Sequence, residues 1–263
     1  MNNLFSLSDR TALVTGSTGH LGRAMVVGLA QMGARVLAHG RNTEKVEEFV
    51  AQCQKQNLLV EKAIFDVNSY EEIKQFFCAF PYNSLDILVN NAYAGVGGTI
   101  ETASPENYLQ SYSVSVVAAQ NMIQLSLPFL RHAVQEKQDA SVINIASMYG
   151  MVSPNIGIYD SPEGANPPFY GAAKAALIQL TKYAACQFAT EKIRINAVSP
   201  GPFPSDLAQE QLPEMVKKIE QKVPMKRIGH PDDLKSAICF LASPASSYIT
   251  GINLPVDGGW TSW

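Results

Sequence analysis

The stretch T-A-L-V-T-G-S-T-G-H-L-G-R-A, Thr11–Ala24, decides the fold. A short apolar run, Thr11–Thr15, gives way to Gly16, Gly19 and Gly22, and a helical pattern opens at Leu21. A strand that turns through glycines into a helix gathers free backbone N–H groups at the positive end of the helix dipole, where an anion such as a pyrophosphate is held. Glycine permits the tight turn and the close approach of a ligand to the backbone. A glycine trio alone is weak evidence. Its place between a strand and a helix, with a second strand soon after, strengthens it.

The same rhythm continues outward. Apolar runs predict strands at Thr11–Thr15, Arg35–His39, Leu59–Ile64, Leu85–Asn90, Ser141–Ala146, Ile193–Ser199 and Asn253–Val256. Between them, helical patterns cover Leu21–Met32, Thr43–Gln56, Ser69–Phe80, Pro105–Arg131, Tyr170–Thr190 and Pro231–Ala242. Alternating strands and helices predict a parallel sheet with helices on both faces. The expected fold is therefore α/β, a single doubly wound Rossmann domain over residues 1–263 with seven parallel strands. Two connections, 148–169 and 202–223, are long; they are expected at the carboxyl ends of strands, where ligands bind in open α/β sheets.

Composition narrows the class. The chain has 263 residues, 46% hydrophobic and 16% charged, and a net charge of −3. That balance is globular and argues against a general nucleic-acid binder. No uninterrupted apolar run approaches a membrane span, and the first residues lack a signal-peptide pattern. A cytoplasmic protein without membrane or nucleic-acid partners is expected. Cys53, Cys78, Cys186 and Cys239 are far apart and are expected to be reduced and buried. His20, His39, His132 and His230 are equally scattered, so no metal site is expected.

The second strand ends at His39-Gly40-Arg41-Asn42. A carboxylate there would bind the ribose hydroxyls of a dinucleotide; Gly40 has no side chain, and Arg41 is placed to pair with a 2′-phosphate. NADP(H) is favoured on this basis, and NAD(H) stays open. Further on, Tyr170 and Lys174 stand four apart in F-Y-G-A-A-K, on one face of a helix. A phenol has an ordinary pKa of about 10, and a nearby cation favours its ionised form. Ser147, at the end of the fifth strand, is placed to hold a substrate oxygen. A polarised carbonyl, a positioned hydride donor and a tuned acid make up a nicotinamide-dependent carbonyl/alcohol oxidoreductase.

At these residues the chain resembles the short-chain dehydrogenase/reductase family. The resemblance spans nearly the whole length: V-T-G-S-T-G-H-L-G-R-A (Val14–Ala24), D-V (Asp66-Val67), L-V-N-N-A (Leu88–Ala92), I-N-I-A-S (Ile143–Ser147), Y-G-A-A-K (Tyr170–Lys174), I-R-I-N-A-V-S-P-G (Ile193–Gly201) and Y-I-T-G-I-N-L-P-V-D-G-G (Tyr248–Gly259). It implies that Gly16, Ser17, Thr18, His20, Leu21 and Arg41 bind the cofactor. By the same resemblance, Asp66 and Val67 lie at the adenine, and Asn90 and Ala92 border the adenosine ribose, with Asn90 alternatively bracing the sheet. Lys174 would hold the nicotinamide ribose beside Tyr170. Pro200, Gly201 and Ser205 would pass the nicotinamide and pyrophosphate. Family members commonly form tetramers through the C-terminal strand and tail, so a homotetramer or homodimer is expected, with Trp260 and Trp263 at an interface.

Three departures from the family pattern stand out. His20 occupies the place of the middle glycine. Ser115 stands where an asparagine usually holds a water of the proton relay. Ser147 and Tyr170 are unusually far apart in sequence; the intervening segment offers Tyr149, Asn155, Tyr159, Asp160 and Glu163, of which Tyr149 and Tyr159 are the expected substrate contacts. A polar lid suits a sugar or other polyhydroxylated substrate, and this segment is similar to those of bacterial members linked to surface-sugar and flagellin glycosylation. Two alternatives remain: a 3-oxoacyl thioester reductase, and a low-turnover dinucleotide-binding sensor or scaffold.

Overall fold

The computed structural model describes residues 4–263. Seven strands, β1 (Thr11–Val14), β2 (Arg35–Gly40), β3 (Val60–Ile64), β4 (Ile87–Asn90), β5 (Ala140–Ile145), β6 (Ile193–Pro200) and β7 (Asn253–Val256), form one parallel sheet in the order β3-β2-β1-β4-β5-β6-β7. The expected doubly wound fold is what the chain adopts. Residues of β1, β4, β5 and β6 are buried throughout, because helices cover both faces of the central strands. The edge strand β7 is only partly buried and tolerates Pro255, whose missing N–H would break a central ladder.

The period of two along each strand sorts the core into two layers. Ala12, Val14, Val36, Ala38, Ile87 and Val89 pack under α1 (His20–Gln31), α2 (Thr43–Gln54) and, later in the chain, α9 (Pro231–Ala242). Leu13, Leu37, Leu88 and Val142 pack on the other face under α3 (Tyr70–Cys78), α5 (Ala118–Lys137) and α6 (Pro168–Phe188). Cys53 and Cys239 are buried in the first layer. Contrary to expectation, Cys78 and Cys186 are exposed: each lies on the outer side of a helix whose neighbours Phe77, or Ala185 and Phe188, face the sheet.

The predicted helix Pro105–Arg131 is more elaborate. Ser104 caps α4 (Pro105–Tyr112) in a reciprocal box with Asn107; a π-helical turn, Ser113–Val117, follows and leads into α5. The whole run Pro105–Lys137 is long and apolar enough to cross a membrane, which a count of uninterrupted apolar residues misses. Half of its most apolar window is buried inside the protein, where Met122, Ile123 and Leu130 pack on the sheet.

The two long connections are structured. Segment 202–223 carries α7 (Asp206–Gln211) and α8 (Pro213–Lys222). Segment 148–169 makes short 3-10 turns at Met148–Gly150 and Ile156–Ile158. Gly98 N–H donates to Ala165 O (3.0 Å), and Lys218 Nζ pairs with Asp160 (2.8 Å), so this segment lies against both the loop after β4 and α8.

Candidate active site

A cavity of about 610 Å³ opens at the carboxyl ends of the strands. It spans the β1–β4 boundary, where the strand order reverses and open α/β sheets bind ligands. Its walls include Gly16, Thr18, His20, Leu21, Arg41, Val67, Ala92, Ser147, Tyr170, Lys174, Pro200, Gly201 and Ser205. The structure thus gathers most of the residues expected from sequence along one cleft.

At one end lies the glycine-rich turn. Gly16 has φ +66°, and a Cβ at Gly22 would stand 2.3 Å from Gly16 O, so both positions require glycine. His20, at the position of the family's middle glycine, is the first residue of α1, after Gly19, whose N–H bonds to Gly16 O (3.2 Å). Ser17, by contrast, is fully buried and faces away from the cleft. Its hydroxyl donates to Val14 O (2.5 Å) and accepts from His39 N–H (3.0 Å), a bracing role.

His39 is a residue that sequence reading left unassigned. Gly16 N–H donates to its Nδ1 (3.2 Å), and its Nε2 stands 2.8 Å from Phe65 O. These partners require a neutral ring protonated at Nε2. Burial pulls its pKa down from 6.5 to about 4, although the Phe65 carbonyl and Asp66 oppose the change. Beside it, Arg41 is largely exposed and its guanidinium stands 3.5 Å from the Asp66 carboxylate. Asp66 also accepts the Asn68 N–H (2.9 Å); Asn68 rather than Asp66 lines the cleft.

Asn90 and Asn91 divide two tasks. Asn90 Nδ2 donates to Asn144 Oδ1 (2.8 Å), and Asn144 donates in turn to Thr181, so Asn90 braces the sheet. Asn91, which the sequence reading did not single out, lines the cleft and donates to Thr15 O (2.9 Å) and Gly16 O (3.1 Å). Asn91 lies just past the end of β4, where the extended chain still alternates sides, and that alternation is the signal that separates the two. Ser115 lies in the π-helical turn and faces a separate cavity of about 10 Å³, shared with Asn90, Thr15 and Lys174. The Ser115 hydroxyl and Asn90 Oδ1 are buried there without a hydrogen-bond partner.

Ser147, Tyr170 and Lys174 converge where β5 ends and α6 begins. Pro168 opens α6 at its first turn, where its missing N–H costs nothing. Gly171 lets the turn after Ser147 press onto this helix, since a Cβ there would lie 2.7 Å from the Tyr149 carbonyl. Lys174 is 3% exposed, and its ammonium donates to Ile145 O (2.7 Å). Burial lowers its pKa to about 8. Burial raises that of Tyr170 to about 12; a hydrogen bond with Ser147 opposes the rise, and Tyr93 adds to it. The expected lowering by Lys174 does not outweigh burial. The ammonium lies 5.7 Å from the Tyr170 ring centroid, turned to the Ile145 carbonyl.

Tyr149 and Tyr159 do not line the cleft, nor do Asn155, Asp160 and Glu163. The two tyrosine hydroxyls bond to each other (3.1 Å), and burial raises both pKa values. Asp160 is drawn outward to Lys218, and Asn155 caps the turn it precedes. Tyr149, Tyr159, Asn155 and Asp160 thus have partners within the protein. Tyr93, Gln110 and Phe203 supply cleft wall that sequence did not reveal. No cluster of three or more His, Cys, Asp or Glu side chains suited to a metal occurs among the described residues.

A family model described as Enoyl-(Acyl carrier protein) reductase, of the short-chain alcohol dehydrogenase type, matches residues 14–261. A tropinone reductase homolog of Arabidopsis thaliana is 34% identical over 260 residues, covering 98% of this chain and 91% of that protein. The structure of Pseudomonas aeruginosa RhlG in an active-site complex with NADP superposes with a TM-score of 0.89 at 30% identity, covering 99% of both chains. A gluconate 5-dehydrogenase from Burkholderia cenocepacia, in complex with NADP and tartrate, superposes with a TM-score of 0.86 at 28% identity, covering 99% of this chain and 98% of that one.

Proposed function

The chain belongs to the short-chain dehydrogenase/reductase family of oxidoreductases, and from that premise we propose that it interconverts a carbonyl and a secondary alcohol on a small hydroxylated molecule, with NADP(H) as hydride carrier. The convergence of Ser147, Tyr170 and Lys174 on the deep end of a cleft built for a dinucleotide carries this reading. When bound, the nicotinamide supplies the hydride. Ser147 holds and polarises the substrate oxygen, and Tyr170 gives that oxygen its proton. Lys174, fixed by Ile145 O, holds the nicotinamide ribose and keeps a positive charge beneath the phenol. Since Lys174 alone leaves the phenol at about 12, the oxidised cofactor's charge is needed to ease its ionisation in the alcohol-oxidising direction. In this reading Ser115 and Asn90 steady the inner side of Lys174.

Arg41 supports NADP(H): its exposed guanidinium stands beside the adenine end of the cleft, with only a long contact to Asp66. The NADP complexes of similar structures support the same choice. A sugar acid or related polyol fits the gluconate 5-dehydrogenase likeness. Reduction of a 3-oxoacyl thioester is the second reading; the family description, which names an enoyl-acyl substrate, supports the acyl class but not that carbonyl step. We also place the protein in the cytoplasm as a homotetramer or homodimer; exposed Tyr248 and Trp263, flanking the edge strand β7, support assembly there.

Titration with NADPH and NADH, followed by a panel of keto sugars, keto sugar acids and acyl thioesters, tests the proposal. The expected result is NADPH bound at least tenfold more tightly, a preference that Arg41→Ala abolishes, and NADPH oxidation by a member of the sugar group. Equal binding of both nucleotides would remove the role of Arg41. Oxidation by thioesters alone would establish the second reading.

A further inference from the structure

We propose that Tyr93 is a positioning residue for Tyr170: its ring is the wall that fixes where the Tyr170 hydroxyl meets the substrate oxygen. The inference rests on the carbonyl-reductase reading above and assigns that site an additional determinant.

Tyr93 lies just beyond Asn91-Ala92, whose backbone N–H groups both donate to Thr15 Oγ1 (2.9 and 3.0 Å). Its backbone is thereby anchored to the start of the glycine-rich turn. From this anchor the ring meets Tyr170 edge to face, with centroids 4.8 Å apart and planes at 68°. Lys174 Nζ stands 5.4 Å from the Tyr93 centroid and 5.7 Å from that of Tyr170, so one ammonium lies against both rings. Such contacts favour one mutual orientation, because the ring quadrupole attracts both a ring edge and a cation.

The far end of Tyr93 is equally confined. Its hydroxyl is buried and makes no hydrogen bond of ordinary geometry. A Cβ at Gly95 would stand 2.3 Å from that oxygen, so the following loop folds directly over it. Burial raises the Tyr93 pKa, and the Ser111 hydroxyl on α4 opposes the rise. A neutral phenol held at both ends is a rigid wall rather than a proton carrier. Tyr170 itself borders the cleft, and Tyr93 is the aromatic ring packed against it.

The chemical consequence follows from geometry. Proton delivery requires the Tyr170 oxygen to stay within hydrogen-bond reach of the substrate oxygen, and a displacement of about 1 Å costs on the order of 100-fold in rate. The titratable groups facing Tyr170 are Lys174 on its own helix, Tyr93 after β4 and Tyr149 after β5. Of these, only Tyr93 both touches the ring and lines the cleft without being assigned to catalysis.

Steady-state kinetics and NADPH titration of wild type, Tyr93→Phe, Tyr93→Leu and Tyr93→Ala test the assignment. Tyr93→Phe keeps the wall and should stay within about threefold of wild type in kcat. Tyr93→Leu and Tyr93→Ala should lose roughly 10- to 100-fold in kcat, with NADPH Kd within about threefold of wild type. In Tyr93→Ala, Tyr170 loses the cover of the Tyr93 ring and gains hydration on that side; its pKa is raised chiefly by burial, so the alkaline limb of carbonyl reduction should move to lower pH. Tyr93→Leu keeps apolar bulk and covers the case in which the alanine variant does not fold. An active wild type with unchanged kcat and pH profile in both truncations would overturn the Tyr93 assignment alone. A Phe variant as impaired as the Ala variant would also overturn it, by showing that the hydroxyl is the operative group. A wild type that binds NADPH but reduces no carbonyl compound would overturn the reading beneath both.

Discussion

Burial sets the chemistry of single side chains in this cleft. Lys174 gives up hydration, gains one carbonyl partner and titrates near 8. Tyr170 stays protonated across the neutral range, the form that carbonyl reduction requires. His39 shows the same effect applied to cofactor binding: its neutral ring accepts the Gly16 N–H and so holds the phosphate turn in shape. Because its pKa falls from 6.5 unfolded to about 4 folded, the unfolded chain binds the extra proton first. Its contribution is complete above pH 6.5 and is lost as pH falls toward 4, about 2 kcal/mol of it between pH 7 and pH 5. Urea unfolding at those two pH values should therefore show a shallower pH dependence in His39→Gln than in wild type; equal slopes would contradict the assignment. Ser147, Tyr170 and Lys174 were legible because their types and spacing carry chemistry by themselves. His39, Asn91 and Tyr93 were not: their roles come from partners such as Gly16, Thr15 and Tyr170, distant in sequence and brought near only by the sheet.

The strands were the most readable elements, since burial on both faces leaves nearly continuous apolar runs flanked by turns. Their ends differ by a residue or two, as at β3, which begins at Val60 instead of Leu59. The π-helical turn was invisible, because one widened turn barely disturbs a helical pattern. Yet that turn faces Ser115 toward the small inner cavity while Val114 reaches the main cleft as well. The polar segment 148–169 read as a lid over substrate; the count of polar groups could not show that Tyr149 would pair with Tyr159 and Asp160 with Lys218. The contact of this segment with α6 is sharp enough to test. Gly171→Ala places a methyl 2.7 Å from the Tyr149 carbonyl and should shift the Ser147 turn. Because alanine also favours the helix by about 1 kcal/mol, the thermal midpoint should move by no more than about 4 °C while kcat falls roughly 10- to 100-fold. Thermal unfolding and kinetics on the same preparation separate the two effects, and an unchanged kcat would show that the turn tolerates the displacement.

The whole molecule joins two halves at the reversal of strand order. The β1–α1 turn, β2 end and β4 end supply the dinucleotide side, while β5, α6 and the β6 loop supply the reacting side. Within the long helical run Pro105–Lys137, α5 sets Met122, Ile123 and Leu130 on the sheet, whereas α4 packs on α6 and leaves Leu109 exposed. The central claim is that this junction transfers hydride to a carbonyl while Tyr170 delivers the proton. Its most direct test is single-turnover oxidation of bound NADPH by a reducible keto compound, in wild type and in Tyr170→Phe. The account predicts that the variant binds NADPH within about threefold of wild type but transfers hydride about 10²- to 10⁴-fold more slowly. Hydride transfer at the wild-type rate in Tyr170→Phe would contradict it.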